Sequence, residues 1–470
     1  MNGAAQTLSA PDARPPRDLA LRALILSLLV GVVSGGVSLL APLRASGADT
    51  VPGRFGAAVL ACRSSFDLRE VDWVAATAAT KSLPYYAAEA KDGAVVSVFG
   101  PGPAVMGAPF MEGLAEGGLV TDRELERRAR HAAALAVAVS ATLLAAALVA
   151  RTTPLRAAAL ALVASLSFAG ASTLGQGLWQ QTVVIVPLTC AAATLSWASW
   201  RAGALLLFTP GLLAIAALTR PSAAFLVGAL AIAWLLATYA RSNRRTLFIV
   251  ALPVAALSAL PQVAWNVSQT GDPLALRAYM VGHSADDGSV FRLGVSSVLE
   301  GMAGLVASPA RGLIFFAPAL LVALYVGLRY GDRAARVMGV GVLLHMALVA
   351  TYRMWWGGWA FGPRMLTEAA WLSPLLVTGV PPTRLLRRAL GAAGLVTVGV
   401  GLLGAFRYEI GDWDLRRDPD HHHEALWDAV DSPLAAMLLR ARVPTLDAPP
   451  GPYAYCVHRA LERVRITPRP

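Results

Sequence analysis

Residues 19–41 read LALRALILSLLVGVVSGGVSLLA, a stretch whose only charge is Arg22. A helix of about 20 residues crosses the hydrocarbon core of a bilayer, so this stretch suffices for one crossing. Its apolar part is longer than the core of a signal peptide, and apolar sequence continues downstream, so it reads as an uncleaved anchor. Residues 1–18, rich in Pro, Ala and Arg, read as a disordered cytoplasmic tail. Further apolar stretches follow at 131–150, 156–172, 182–199, 203–218, 221–240, 246–266, 312–328, 336–352, 366–380 and 389–405, giving about eleven expected spans. The expected fold class is therefore an all-α polytopic membrane protein. One transmembrane domain covers 19–405, including an elaborated outer loop at 42–130, and an extracytoplasmic tail covers 406–470.

Composition agrees. Of 470 residues, 56% are of the AVILMFWYC set and 15% are charged, and mean hydropathy is +0.56. Soluble domains carry about 45–50% apolar residues with glycine counted, and about 25% charged ones. A soluble enzyme, a disordered chain and a disulfide scaffold built on 3 cysteines are excluded. The net charge of +11 is almost all arginine, since lysine occurs only at Lys81 and Lys91. With the N-terminus inside, arginines fall in the short inner loops: Arg14, Arg17 and Arg22; Arg151 and Arg156; Arg201; Arg241, Arg244 and Arg245; Arg329, Arg333 and Arg336; Arg384, Arg387 and Arg388. The opposite orientation would translocate RSNRR and RLLRR. The basic charge is thus accounted for without nucleic acid. The expected location is the inner (plasma) membrane, with a cytoplasmic N-terminus and an extracytoplasmic C-terminus.

On that outer face stand charges that run against the positive-inside trend. GADTVPGR carries Asp49 and Arg54, and RSSFDLREVD carries Arg63, Asp67, Arg69, Glu70 and Asp72. YRMWWGGWAFGPR carries Trp355, Trp356, Trp359 and Arg364, and SPARG carries Arg311. An anionic ligand, a lipid phosphate or the carboxylates of the first loop would compensate such arginines. Walker loops, nucleotide-binding glycine fingerprints, HExxH, GxSxG and paired CxxC are absent from the sequence, and no cofactor or metal is called for.

In order and content these pieces resemble the polytopic glycosyltransferases of the GT-C superfamily, particularly a poorly characterised bacterial group. The matching segments are DTVPGR, FDLRE, SVFGPGPAVMGAPF, LTRPSAA with Arg220, NVSQTGDP with Asn266, SPARGLIFFAPALL with Arg311 and WWGGWAFGPRML with Arg364. WGGWxFGPR is the most specific. Two departures are GPGPAV, in place of two prolines before glycine, and Glu368, where an apolar residue is expected. The resemblance implies inverting transfer of a sugar from a polyprenyl-phosphate donor to an extracytoplasmic acceptor, with an acidic residue of the first outer loop as general base. Asp49 is the first choice for that base and Asp67 the reserve. Arg54, Arg220, Arg311 and Arg364 would bind the lipid phosphate, and Trp355 and Trp359 the sugar. The chemistry is consistent: a phosphate leaving group needs no strong acid, so one carboxylate suffices, and arginine forks meet the developing negative charge.

Each residue also has a structural reading. Asp49 can cap a short helix or turn, Asp67 and Glu70 can form a solvated face with Arg63 and Arg69, and the tryptophans can form an interfacial belt. The run DPDHHHEALW invites a metal, but a solvated turn before a tail helix, EALWDAVDSPLAAMLLRA, is the better reading. His345 reads as a helix contact more than a proton relay. Cys62 and Cys456 both fall outside, where a disulfide would tie tail to loop. The alternative functions are a transporter or lipid flippase, and a non-catalytic membrane assembly partner. The topology has a direct check. A single cysteine in the tail of an otherwise cysteine-free chain should react with an impermeant maleimide while the inner membrane is intact. Labelling only after permeabilisation reverses the orientation.

Overall fold

Inside a bilayer no water is present to bond the backbone, so a span must satisfy its own amides, and helix is the form that does. A computed structural model of the chain is accordingly almost all helix. It describes residues 17–42, 47–79, 83–84, 86–114, 119–198, 203–239, 241, 244–274, 290–378, 383–408, 413–439 and 463–465. The first ten helices are α1 (Arg17–Leu40), α2 (Val51–Arg63), α3 (Asp72–Ala79), α4 (Gly102–Gly107) and α5 (Asp122–Val149), then α6 (Pro154–Ser165), α7 (Gln180–Ala198), α8 (Thr209–Thr219), α9 (Ala224–Tyr239) and α10 (Arg244–Thr270). Later helices are given by their residues.

Among the described residues six helices are long and apolar enough to cross a membrane: Asp18–Leu40, Asp122–Val149, Pro221–Tyr239, Arg244–Thr270, Arg333–Thr351 and Arg384–Arg407. A seventh is obtained if Pro154–Ser165 and Phe168–Gln176, bent by 45°, count as one broken span. The expected count of about eleven is corrected to this number, and proline accounts for much of the difference. A proline removes an amide donor and turns the preceding residue away from helix. The stretch 312–328 breaks at Ala317, with Leu313–Phe316 before it and Pro318–Tyr330 after it. The stretch 366–380 becomes a short helix Thr367–Leu372 followed by a 3₁₀ turn Ser373–Leu376 that carries Pro374.

The helix after the first outer loop begins earlier than expected, at Asp122 rather than 131, because TDRE is a capping signal. Thr121 accepts from the Glu124 amide at 3.2 Å, and Asp122 and Glu124 occupy the first turn, where the helix dipole favours them. Helix α5 packs along α1 at two glycines one turn apart. A Cβ on Gly31 would stand 2.7 Å from the Ala138 carbonyl, and one on Gly35 3.3 Å from that of Ala134. Arg130 of α5 then closes the C-terminal end of α1, donating to the carbonyls of Ser38 at 2.8 Å and Ala41 at 2.6 Å.

The segment between α1 and α5, expected from the sequence to be the first outer loop, is a folded layer. Strands β1 (Ala87–Glu89) and β2 (Val95–Ser97) pair antiparallel around the turn at Lys91, Asp92 and Gly93, where Gly93 sits at φ 79°. The layer has its own apolar core, in which Phe55, Val59, Leu68, Phe99 and Met111 meet Leu125 of α5 and Leu178. Strand β3 (Leu119–Thr121) pairs antiparallel with β4 (Arg463–Arg465), which ties the tail to this loop. The expected Cys62–Cys456 link is not the tie: Cys62 is a free thiol, and Cys456 lies outside the described residues. The expected tail helix is also corrected. It is a 3₁₀ turn, His423–Trp427, and a separate helix Pro433–Leu439.

Gly31→Leu should separate α1 from α5 and destabilise the protein by about 1–3 kcal/mol, as overpacking does. The check is a fall in the unfolding temperature of the purified protein, whereas Gly36→Leu, at a glycine whose Cβ would meet nothing within 4 Å, should leave it unchanged.

Candidate functional site

A guanidinium keeps its charge at any biological pH. What each outer arginine can bind is therefore decided by the carboxylate it already faces. Arg54, on the first turn of α2, donates from Nε and Nη2 to both oxygens of Asp122, at 2.7 and 2.8 Å. Burial by itself would lower its pKa, but the Asp122 and Glu126 charges more than reverse this, and the guanidinium is held above its usual range. Arg311 is wholly buried. Its Nη2 donates to Asp414 at 2.7 Å and to the Gly358 carbonyl at 3.3 Å, and its guanidinium lies 5.2 Å from the Trp413 ring. Arg220, at the end of α8, faces Glu368 with Nε 2.5 Å from Oε1, and both side chains are buried. These three arginines are matched by carboxylates with little or no access to solvent, so the structure places them as fasteners between elements.

Arg364 differs. Its Nη1 meets Asp49 Oδ2 at 2.7 Å, and the Asp49 side chain is 23% exposed, against 0–9% for Asp122, Glu368 and Asp414. The guanidinium lies over the Trp179 ring at 4.5 Å. Its Nε, like those of Arg220 and Arg311, is buried and lacks a hydrogen-bond partner among the described residues. The first outer loop and the WWGGWAFGPR segment thus meet at one charged pair. Local backbone explains how. Asp49 sits in a 3₁₀ turn, Ala48–Thr50, just before α2, and Gly47 lets that turn lie against Trp179, 2.6 Å from where its Cβ would be, and against the Trp359 carbonyl at 3.3 Å. Gly357 and Gly358 adopt φ 81° and 66°, a left-handed backbone open to glycine, and so wrap around the Arg364 side chain.

The tryptophans do not form a free platform. Trp355 is buried against Gly304 and stands edge-on to Trp356 at 5.7 Å. Trp356 donates to Asp420 at 2.7 Å, and Trp359 donates to Asp418 at 3.3 Å. The DPDHHH run therefore forms a turn over the tryptophan cluster, and among the described residues no group of three metal-binding side chains exists. Asp67 caps the 3₁₀ turn Leu68–Glu70 and accepts from the amides of Arg69 and Val95, both at 3.0 Å, and from the Arg69 guanidinium at 2.6 Å. Burial raises its carboxyl, but these donors outweigh that and hold it below the usual carboxylate range. Such a group binds the hairpin to the loop and is a poor proton acceptor. His345 lies 3.0 Å from the Ser222 carbonyl and 3.1 Å from that of Met365, which sets the Arg220 and Arg364 segments side by side.

Sequence reading missed Trp179, Asp122 and Asp414, and took Glu368 only as a departure from a pattern. Glu368 stands four residues after Arg364, a helical spacing, but its partner is on another element. Compared with known families, curated proteins and solved structures, the chain matches none.

The Arg311–Asp414 pair has a measurable pH signature. Burial pushes the Asp414 carboxyl up to about 7, against the pull of Arg311. A carboxyl raised above its unfolded value of about 3.9 holds its proton longer in the folded protein. Stability through this group therefore falls as pH rises from about 4 to about 7. Asp414→Asn should remove that fall, seen as a flatter dependence of melting temperature on pH than in the unsubstituted protein.

Proposed function

We propose that this protein is an inverting glycosyltransferase of the GT-C type, taking a sugar from a polyprenyl-phosphate donor to an acceptor outside the membrane. The observation that supports this most is the Asp49–Arg364 pair: a partly exposed carboxylate beside a guanidinium, at the junction of the first outer loop and the tryptophan segment. In the reaction, Asp49 takes the proton of the acceptor hydroxyl while its oxygen forms a bond to the anomeric carbon. The bond from that carbon to the phosphate oxygen breaks on the opposite face, which inverts the centre, and polyprenyl phosphate leaves. Arg364 meets the charge that grows on the phosphate. Its Nε–H, without a partner among the described residues as are those of Arg220 and Arg311, is a donor that a phosphate oxygen would satisfy, where a buried unsatisfied donor costs about 1–3 kcal/mol. Trp359, partly exposed where Trp355 and Trp356 are buried, is the tryptophan proposed to touch the sugar. Arg54, Arg220 and Arg311 hold the frame of the site rather than the ligand. Membrane lipids surround the site, and nucleic acid has no part in this reading.

A second reading has one observation in its favour. Arg220 and Glu368 form a buried charge pair within the helical domain, with His345 close by, and ionisable groups at such places mark transport paths in many membrane proteins. The two readings separate on one assay. With a defined polyprenyl-phosphate sugar and purified protein in detergent, Asp49→Asn should abolish transfer with the melting temperature unchanged, and Arg364→Lys should reduce it about tenfold or more through loss of the fork. Full transfer by a folded Asp49→Asn protein removes Asp49 as the base. Absence of transfer by the unsubstituted protein, with substrate movement across vesicles that Glu368→Gln stops, favours transport.

A further inference from the structure

A groove of about 500 Å³ runs between α9 and the helix Arg333–Thr351. The two helices are antiparallel there, since His345 bonds the Ser222 carbonyl and Gly341 lies against Phe225. From Leu344 to Arg333 the groove follows eleven residues of helix, about 16 Å at 1.5 Å per residue. Its walls are one face of each helix at four-residue spacing: Ala224, Gly228 and Ile232 on α9, and Arg336, Val340 and Leu344 opposite. Ile232, Val340 and Leu344 are exposed, and a Cβ on Gly228 would meet nothing within 4 Å, so the floor is open.

One end is cationic. Arg333 and Arg336 are exposed, and among the described residues neither faces a carboxylate. The acid beside them, Asp332, is engaged: Oδ1 accepts from the Ala335 amide at 2.7 Å and Oδ2 stands 3.9 Å from Arg151. Arg333 is the first residue of a membrane-length helix, which is the depth of lipid headgroups. The groove therefore pairs an apolar channel directed into the bilayer with two guanidinium forks at its mouth. It opens at the end of this helix remote from the Asp49–Arg364 pair, because His345, which bonds Met365 beside Arg364, lies near the other end.

We infer that this groove holds one acyl chain of an anionic membrane phospholipid, with the lipid phosphate bound by Arg333 and Arg336. Arginine matches a phosphate diester in charge and in planar geometry, and basic pockets between membrane helices take anionic lipid headgroups. The apolar walls favour a lipid over a free phosphate, and the chain would seal a seam that side chains leave unfilled. The inference stands apart from the proposed sugar transfer.

The test uses the full chain, delipidated in detergent, with dioleoylphosphatidylglycerol, dioleoylphosphatidylcholine or glycerophosphate added. Native mass spectrometry should show one phosphatidylglycerol retained per chain, about tenfold more than phosphatidylcholine, with a matching rise in melting temperature. Glycerophosphate, which has the phosphate without the acyl chains, should do neither. Arg333→Gln with Arg336→Gln should equalise the two lipids. Gly228→Leu keeps both arginines and fills the open floor without displacing a neighbour. Leucine also favours helix over glycine, so this variant should fold and lose the bound lipid. Equal retention of the two lipids by the unsubstituted protein, lipid retention unchanged by Gly228→Leu, or equal stabilisation by glycerophosphate would each overturn the inference.

Discussion

An arginine cannot shed its proton, so a buried guanidinium must meet acceptors: backbone carbonyls, as at Arg130, or a carboxylate, as at Arg54, Arg220 and Arg311. This constraint organises the segments that join the long helices on the side of the Asp49–Arg364 pair. Arg54 draws the first outer loop onto the start of α5 through Asp122, Arg311 draws the segment after the last long helix inward through Asp414, and Arg220 draws Glu368 against the end of α8. Removing one partner of such a pair leaves the other charge buried and alone, which costs about 3–5 kcal/mol. The pairs therefore specify how the outer elements sit as much as they stabilise them.

The same rule separates fasteners from a site. Four outer arginines carry nearly identical chemistry, and burial of their partners distinguishes them. Only the Asp49–Arg364 pair, among these four, combines a partly exposed carboxylate with a guanidinium backed by an aromatic face. A pair that water reaches is one that a ligand can enter, because the charges are not locked by the packing around them. The glycine turns at Gly357 and Gly358 and the close approach of Gly47 to Trp179 hold it in place from both sides.

What the sequence conveyed was local. The spans of α1, α9, α10, Arg333–Thr351 and Arg384–Arg407 were legible as apolar runs. Where proline interrupts an apolar run, hydropathy alone does not register the break, so the short helices around Ala317 and Pro374 were counted as crossings. Asp49 and Arg364 stood out as outer-face charges. Their neighbours did not: Asp122 and Asp414 lie 68 and 103 residues from the arginines they hold, and a pairing of that range leaves no periodic trace. Arg54 and Arg311 were read as ligands, and the structure shows each of them paired with a buried carboxylate, while Asp67, an acid in the same loop, is engaged by Arg69 and Val95.

We propose that Arg364, and not Arg54, Arg220 or Arg311, receives the phosphate of the lipid donor. The most direct measurement is an experimental density map of the protein with a polyprenyl phosphate bound. Phosphate oxygens are expected within hydrogen-bond distance of Arg364, with Asp49 beside it. A phosphate resting on Arg54, Arg220 or Arg311, with the Asp49–Arg364 pair untouched, would contradict it.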